Sequence, residues 1–126
     1  MTTDHYTEIA LEHASRPRNV GVIPNADGTG ADRNPVCGDI LILTLRIADG
    51  RIKEAKQQTT GCTGSNAAAS ILSELVQGIT LEEAAALTPQ SVLDALGGLP
   101  ITKLHSAALA ATALRKALAM YQTKRS

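Results

Sequence analysis

The chain has 126 residues, 12 basic and 12 acidic side chains, and only two aromatic residues, both tyrosines. This length fits one domain, so we expect residues 1–126 to form a single unit around an aliphatic core. The balanced charge gives no general attraction to nucleic acid or to an acidic membrane, and platforms for stacking bases are absent, so we expect protein or metal partners.

The beginning of the chain and its two cysteines, Cys37 and Cys62, indicate the compartment. No apolar run approaches the roughly 20 residues of a membrane span, and the first residues lack the charged and apolar regions of a signal peptide. We therefore expect a cytoplasmic protein. Reduced thiols that serve chemistry are then favoured over a structural disulfide, with buried, inert cysteines as the alternative.

The first predicted element is a helix from Thr3 to Ala14. Its apolar spacing places Tyr6, Ile9, Ala10 and His13 on one face. Glycines and prolines interrupt residues 20–34, so only short strands fit there.

A β-hairpin is the clearest local pattern. Ile40–Ile47 is an apolar run typical of a strand, Asp49 and Gly50 predict a two-residue turn, and Arg51–Thr60 predicts the returning strand. The alternation of that second strand breaks near Glu54, so a bulge could shift the pairing by one residue.

The hairpin brings the two cysteines close together. Regular pairing across the turn places Cys37 opposite Cys62, where Cβ atoms are about 5 Å apart. A shift of one residue would change the faces of the side chains and keep the two cysteines near each other.

Four helices are predicted after the hairpin. The first runs from Ser65 to Gln77, Thr80 and Thr88 begin two short ones, and the last runs from about Leu104 to Tyr121. The order of elements predicts an α+β fold, with the helices packed on one face of a small three-stranded antiparallel sheet. The last helix is expected to bury Leu104, Ala107, Ala108, Ala111, Leu114, Leu118 and Tyr121.

Four candidate ligands lie at the ends of these elements: Cys37, Asp39, Cys62 and His105. Two residues apart on a strand, Cys37 and Asp39 would share one face, and Gly38 between them leaves room for close approach. Cys62 lies just before a helix N-terminus, which favours the thiolate that binds metal or sulfur. Each residue alone also has an ordinary explanation, as a buried cysteine, a solvated histidine or a capping aspartate.

Several segments resemble, in order and spacing, the IscU and NifU N-terminal family of iron–sulfur cluster assembly scaffold proteins. His13 followed by Arg16–Gly21 resembles the family's His-x-x-x-Pro-Arg-Asn-x-Gly segment. Pro35–Asp39 and Thr60–Cys62 resemble its first and second cluster motifs. Leu99–His105 resembles its Leu-Pro-Pro-Val-Lys-x-His-Cys segment. The resemblance covers nearly the whole chain.

The resemblance implies a SufE/IscU-like fold and a scaffold that is not an enzyme. Such a protein holds a labile [2Fe-2S] cluster, or a Zn²⁺ or Fe²⁺ ion when isolated, and passes clusters to apo iron–sulfur acceptor proteins. Cys37, Cys62 and His105 would be ligands. Asp39 would be the replaceable ligand, because a carboxylate oxygen holds a soft cluster less firmly than a thiolate does.

The chain departs from the family pattern at two points. Ser106 stands where the family has a third cysteine, which receives sulfur from a cysteine desulfurase, and serine cannot form a persulfide. Ile101 and Thr102 replace Pro-Val in the segment that a specialised Hsp70 chaperone recognises, so a plain surface loop is expected there.

Two alternatives stay open, one from the departure at Ser106 and one from the predicted hairpin register. The chain could be a degenerate member of the family that retains the fold and serves as a metal-binding or protein-interaction module. It could also be a small redox protein that uses a Cys37–Cys62 disulfide.

Overall fold

The computed structural model describes residues 5–125 and the backbone of Thr2 and Thr3. In the described part of the chain, no helix is long and apolar enough to cross a membrane. The elements in chain order are β1 (Thr2–Thr3), α1 (Glu8–Ser15), β2 (Gly28–Arg33), β3 (Ile40–Ala48), β4 (Arg51–Thr60), α2 (Thr63–Val76), α3 (Leu81–Ala85), α4 (Pro89–Leu96), β5 (Leu99–Pro100), a 3₁₀-helix (Ile101–Lys103) and α5 (His105–Arg125).

The strands β2, β3 and β4 form an antiparallel sheet in that order. Helices α2 and α5 pack against it over the buried side chains of Leu41, Leu43 and Leu45. The predicted α+β fold is therefore confirmed. A parallel pairing of β1 with β5 was not predicted, because two-residue strands carry no periodicity.

The hairpin turn has the predicted chemistry. Asp49 and Gly50 have φ angles of 56° and 72°, and positive values at both central residues are typical of a type I′ turn. Pairing is regular next to the turn and becomes irregular between Arg46 and Ile47. The predicted bulge is thus present, close to where the alternation of β4 breaks.

The ladder between β3 and β4 ends where Ile40 pairs with Thr60. Cys37 and Cys62 both lie beyond this pair, so the prediction that they face each other across the ladder is wrong. Each cysteine instead belongs to a connection whose own turns set its direction.

The first helix begins later than predicted. Thr7 is its N-cap, with a hydroxyl that accepts a hydrogen bond from the Ala10 amide at 3.0 Å and donates one to the Leu96 carbonyl at 2.6 Å. This cap fixes the start of the helix at Glu8, so the predicted start at Thr3 is wrong. Ala10 and His13 are buried as expected, whereas Ile9 is exposed.

The starts of the later helices follow their capping residues. Thr80 and Thr88 each form a capping box, and Gly97 ends α4 in the left-handed conformation. Helix α2 begins at Thr63, two residues before its predicted start.

Helix α5 buries a wider stripe of residues than predicted, because it contacts both the sheet and other helices. Ala108 is exposed, so its predicted burial is wrong. The buried residues of α5 are Ser106, Ala107, Leu109, Ala110, Ala111, Ala113, Leu114 and Ala117.

Two glycines let α5 approach β2 closely. A Cβ atom on Gly28 would lie 2.5 Å from the Ala117 carbonyl oxygen, and one on Gly30 would overlap the Ala113 carbonyl oxygen and the Ala117 amide. We expect Gly30→Ala to lower the free energy of unfolding by about 1–3 kcal/mol, the usual cost of overpacking a core. Chemical denaturation measures the loss, with Ala31→Ser on the exposed neighbour as control. Equal stability of the two variants would contradict this close approach.

Candidate metal centre

The connection between β2 and β3 places Cys37 at the surface. The side-chain oxygen of Asn34 accepts hydrogen bonds from the amides of Val36 and Cys37, at 2.9 and 3.0 Å. Gly38 follows with a φ angle of 76°, a conformation that suits glycine. The chain therefore turns sharply here and enters β3 only at Ile40.

Asp39 points the other way. It is buried, with 5% of its surface exposed, whereas Cys37 is exposed. The prediction that the two side chains share one strand face is therefore wrong, because both residues lie in a turning connection. Gly61 leaves space for the Asp39 carboxyl group, since a Cβ atom there would lie 2.5 Å from Asp39 Cγ.

The Asp39 carboxylate is surrounded by donors. The Ser65 hydroxyl donates a hydrogen bond to Oδ2 at 2.7 Å, and the thiol and backbone amide of Cys62 also donate to the carboxylate. Burial alone would raise the pKa of this carboxyl, but these hydrogen bonds and the nearby His105 hold the pKa below its usual value. The group is therefore a carboxylate at neutral pH.

Cys62 is the N-cap of α2, as its predicted position before a helix implied, and its side chain makes no capping hydrogen bond. The half-buried thiol lies 3.7 Å from Ser65 Oγ and 3.9 Å from Ser106 Oγ. Its sulfur is therefore left for chemistry rather than for capping the helix.

His105 is the first residue of α5 and joins the two halves of the site. Its Nε2 lies 3.8 Å from Cys37 Sγ. One ring nitrogen of His105, Cys62 Sγ and a carboxylate oxygen of Asp39 also lie within 4.8 Å of one another. Three of the four candidate ligands thus lie close together. Cys37 lies on the surface side of this group and contacts its His105 member.

Ser106 is buried beneath this cluster, with none of its surface exposed. Its hydroxyl lies 3.2 Å from that of Ser65. Ser65 was missed at the sequence level, although it follows Cys62 by three residues, a spacing that places two side chains on one helix face.

Tyr6 is a second neighbour that the sequence placed only on a packing face. The backbone of Gly64 hydrogen-bonds to the Tyr6 hydroxyl. Burial raises the pKa of Tyr6, and so does the proximity of Cys62 and Asp39, against the opposing effects of Lys103 and of the Gly64 backbone. A Cβ atom on Gly64 would lie 2.9 Å from Ser106 Oγ and 3.4 Å from the Tyr6 hydroxyl, so this hydroxyl lies close to the cluster.

The donor set is two thiols, an imidazole and a carboxylate, which are the ligand types that zinc and iron accept. Within residues 5–125, the group of Asp39, Cys62 and His105 is the one cluster of three or more such side chains. A small α+β fold with this cluster between the open end of a hairpin and the first turn of a helix is the arrangement expected of a metal-binding scaffold protein.

The chain belongs to the family described as the NifU-like N terminal domain, whose profile matches residues 5–126. A relative from Archaeoglobus fulgidus is 44% identical over 119 residues, which cover 94% of this chain and 78% of the relative. A relative from Escherichia coli K12 is 37% identical over 124 residues, covering 95% and 96% of the two chains. Both relatives are named iron–sulfur cluster assembly scaffold proteins IscU.

Solved structures show the same fold. A NifU-like N-terminal protein from Brucella abortus superposes with a TM-score of 0.78 at 19% identity, covering 96% of each chain. A scaffold protein for the SUF system from Fervidobacterium islandicum gives 0.72 at 20% identity, covering 90% of this chain and 96% of its own. These likenesses confirm the fold class expected from the resemblance.

Proposed function

We propose that this chain is an iron–sulfur cluster assembly scaffold that holds a labile [2Fe-2S] cluster for delivery to apoproteins, without catalysing a reaction of its own. The observation that carries the proposal is the convergence of Asp39, Cys62 and His105, with Cys37 beside His105. The names of the relatives support the same function. In the isolated protein the same residues would hold Zn²⁺ or Fe²⁺.

The graded burial of the four proposed ligands suits a protein that donates its cluster to acceptors. Cys37 is exposed, Cys62 and His105 are half-buried, and Asp39 is buried. A cluster bound between them would be held from below by the fold and would remain open to an acceptor on the Cys37 side. Asp39 would be the ligand released first, because its oxygen holds a soft cluster less firmly than sulfur does.

Apo iron–sulfur proteins are the proposed acceptors, and a cysteine desulfurase would be the proposed source of sulfur. Ser106 weakens the second proposal, since a buried hydroxyl cannot receive sulfur. A specialised Hsp70 is not expected to bind. Leu99 and Pro100 are buried in β5 and only residues 101–103 form an exposed or half-exposed turn, so the predicted plain surface loop is confined to that turn. A cytoplasmic location stays a prediction.

Ser106 also favours a second candidate function. It is buried and hydrogen-bonded to Ser65, so the position of the missing cysteine is integrated into the fold. A family member that binds metal or a protein partner, and no longer assembles clusters, would have this feature.

Metal analysis and cluster transfer test the proposed function. We expect the protein to carry near-stoichiometric zinc or iron by native mass spectrometry, and to transfer a reconstituted cluster to an apo-ferredoxin. A Cys37→Ser, Cys62→Ser double variant should lose both properties, because only an imidazole and a carboxylate remain. Apoprotein alone, even after metal addition, would overturn the proposal. Metal binding without any transfer would favour the second candidate.

A further inference from the structure

The site contains a buried pair of hydroxyl groups that the proposed ligand set does not use. Ser65 and Ser106 are both fully buried, and their oxygens lie 3.2 Å apart. Ser65 is also within 2.7 Å of Asp39 Oδ2. A buried hydroxyl that contacts a candidate ligand can control how that ligand is presented to a metal.

The direction of these hydrogen bonds follows from counting protons. A serine hydroxyl has one proton, and Ser65 donates its proton to the Asp39 carboxylate, which can only accept. Ser106 must therefore donate to Ser65. The result is a chain from Ser106 through Ser65 to Asp39, with each proton directed towards the carboxylate.

We propose that Ser65 is a positioning residue, which orients Asp39 as a metal ligand and is itself oriented by Ser106. Asp39 sits between the backbone of Gly61 and the Ser65 hydroxyl, so one contact limits its position and the other fixes the rotation of its carboxylate. This inference rests on the proposed metal-binding function.

A double-mutant cycle tests whether Ser65 acts through Asp39, with Co²⁺ as the probe because its visible absorption reports its ligands. We expect Ser65→Ala to weaken Co²⁺ binding about tenfold, the lower end of the range for partners of metal ligands. The absorption of the bound ion should change as well. In an Asp39→Ala background the same substitution should change neither the affinity nor the spectrum.

Ser70→Ala is the matched control. Ser70 is another fully buried serine of α2, and it hydrogen-bonds to His13 and Arg18 at a distance from the site. Its removal should leave Co²⁺ affinity unchanged. Ser106→Ala provides a second variant if Ser65→Ala does not fold, with weaker binding expected in the wild-type background and no change when Asp39 is absent.

The outcomes separate the two proposals. If the wild-type chain binds no Co²⁺, the metal-binding function is overturned and the role of Ser65 falls with it. If the wild-type chain binds Co²⁺ and Ser65→Ala has no effect, or an equal effect with and without Asp39, only the positioning role is overturned. An effect confined to the background that retains Asp39 supports it.

Discussion

Asp39→Ala is expected to lengthen the life of a reconstituted cluster severalfold and to slow its transfer to an apo-ferredoxin. The substitution removes a buried negative charge and the proposed oxygen ligand, which an acceptor thiolate would displace first. Loss of the visible absorption of the cluster over time, with and without the acceptor, would measure both rates.

For the cluster, Asp39→Ala is expected to change the rate of release. For simple metal ions, it is expected to change the binding affinity. A hard carboxylate contributes to the affinity for Co²⁺ or Zn²⁺, so the same variant should bind those ions less tightly. Asp32→Ala is a suitable control, because it removes another carboxylate from the β2 end that leads to the site while its partner is Lys116. Faster or unchanged transfer by the Asp39 variant would contradict the role of a replaceable ligand.

Removal of the Asp39 carboxylate should also destabilise the apoprotein. Ser65 and the Cys62 amide would lose a buried acceptor, and an unsatisfied buried donor costs about 1–3 kcal/mol. Asp39→Asn separates the two effects, since an amide oxygen can still accept these hydrogen bonds but carries no charge. It should be the more stable of the two variants.

The hairpin and the starts of α3 and α4 could be predicted from sequence because their signals are local. Asp49 and Gly50 set the turn by their own backbone preferences, and Thr80 and Thr88 cap helices through residues three positions away. The start of α1 could not be predicted in this way. Thr7 acts as its cap while also donating to the Leu96 carbonyl, a partner 89 positions away in sequence.

In the site, too, local features could be predicted from sequence, whereas features that depend on tertiary contacts could not. Cys37, Asp39, Cys62 and His105 were identified by residue type, position at element ends and family resemblance, and their roles as ligands stay proposals. Their directions depend on Gly38 and on the hydrogen bonds of Asn34, which a strand periodicity cannot show. Ser65 was not predicted as a site residue, because serines near helix starts are common. Only its tertiary contact with Asp39 indicates the positioning role proposed for it.

The second large effect is expected at position 106, where the chain departs from the family pattern. Ser106 Oγ is fully buried and lies 3.9 Å from Cys62 Sγ. A thiol at this position would therefore lie beside the sulfur of Cys62, a proposed ligand. Exchange of oxygen for sulfur changes the volume little, so we expect Ser106→Cys to fold.

We expect Ser106→Cys to bind a reconstituted cluster about tenfold more tightly, the scale of effect that changes around metal ligands commonly produce. The physical reason is that thiolate is the preferred ligand of iron–sulfur clusters, and the variant would supply a third one. Competition with a chelator measures the gain. Ser73→Cys is the control, because it adds a thiol at a buried serine of α2 that lies outside the site.

The variant should also gain the ability to form a persulfide when it is mixed with a cysteine desulfurase and cysteine. The incoming persulfide would be attacked by the new thiolate, which takes the outer sulfur and releases the desulfurase thiolate. Because position 106 is buried, this step requires the first turn of α5 to open, and mass spectrometry would detect the added sulfur. A gain in cluster affinity without persulfide would mean that burial, or the loss of a desulfurase surface, blocks sulfur delivery. If a folded variant gains neither property, the degenerate module replaces the scaffold as the better account of this chain.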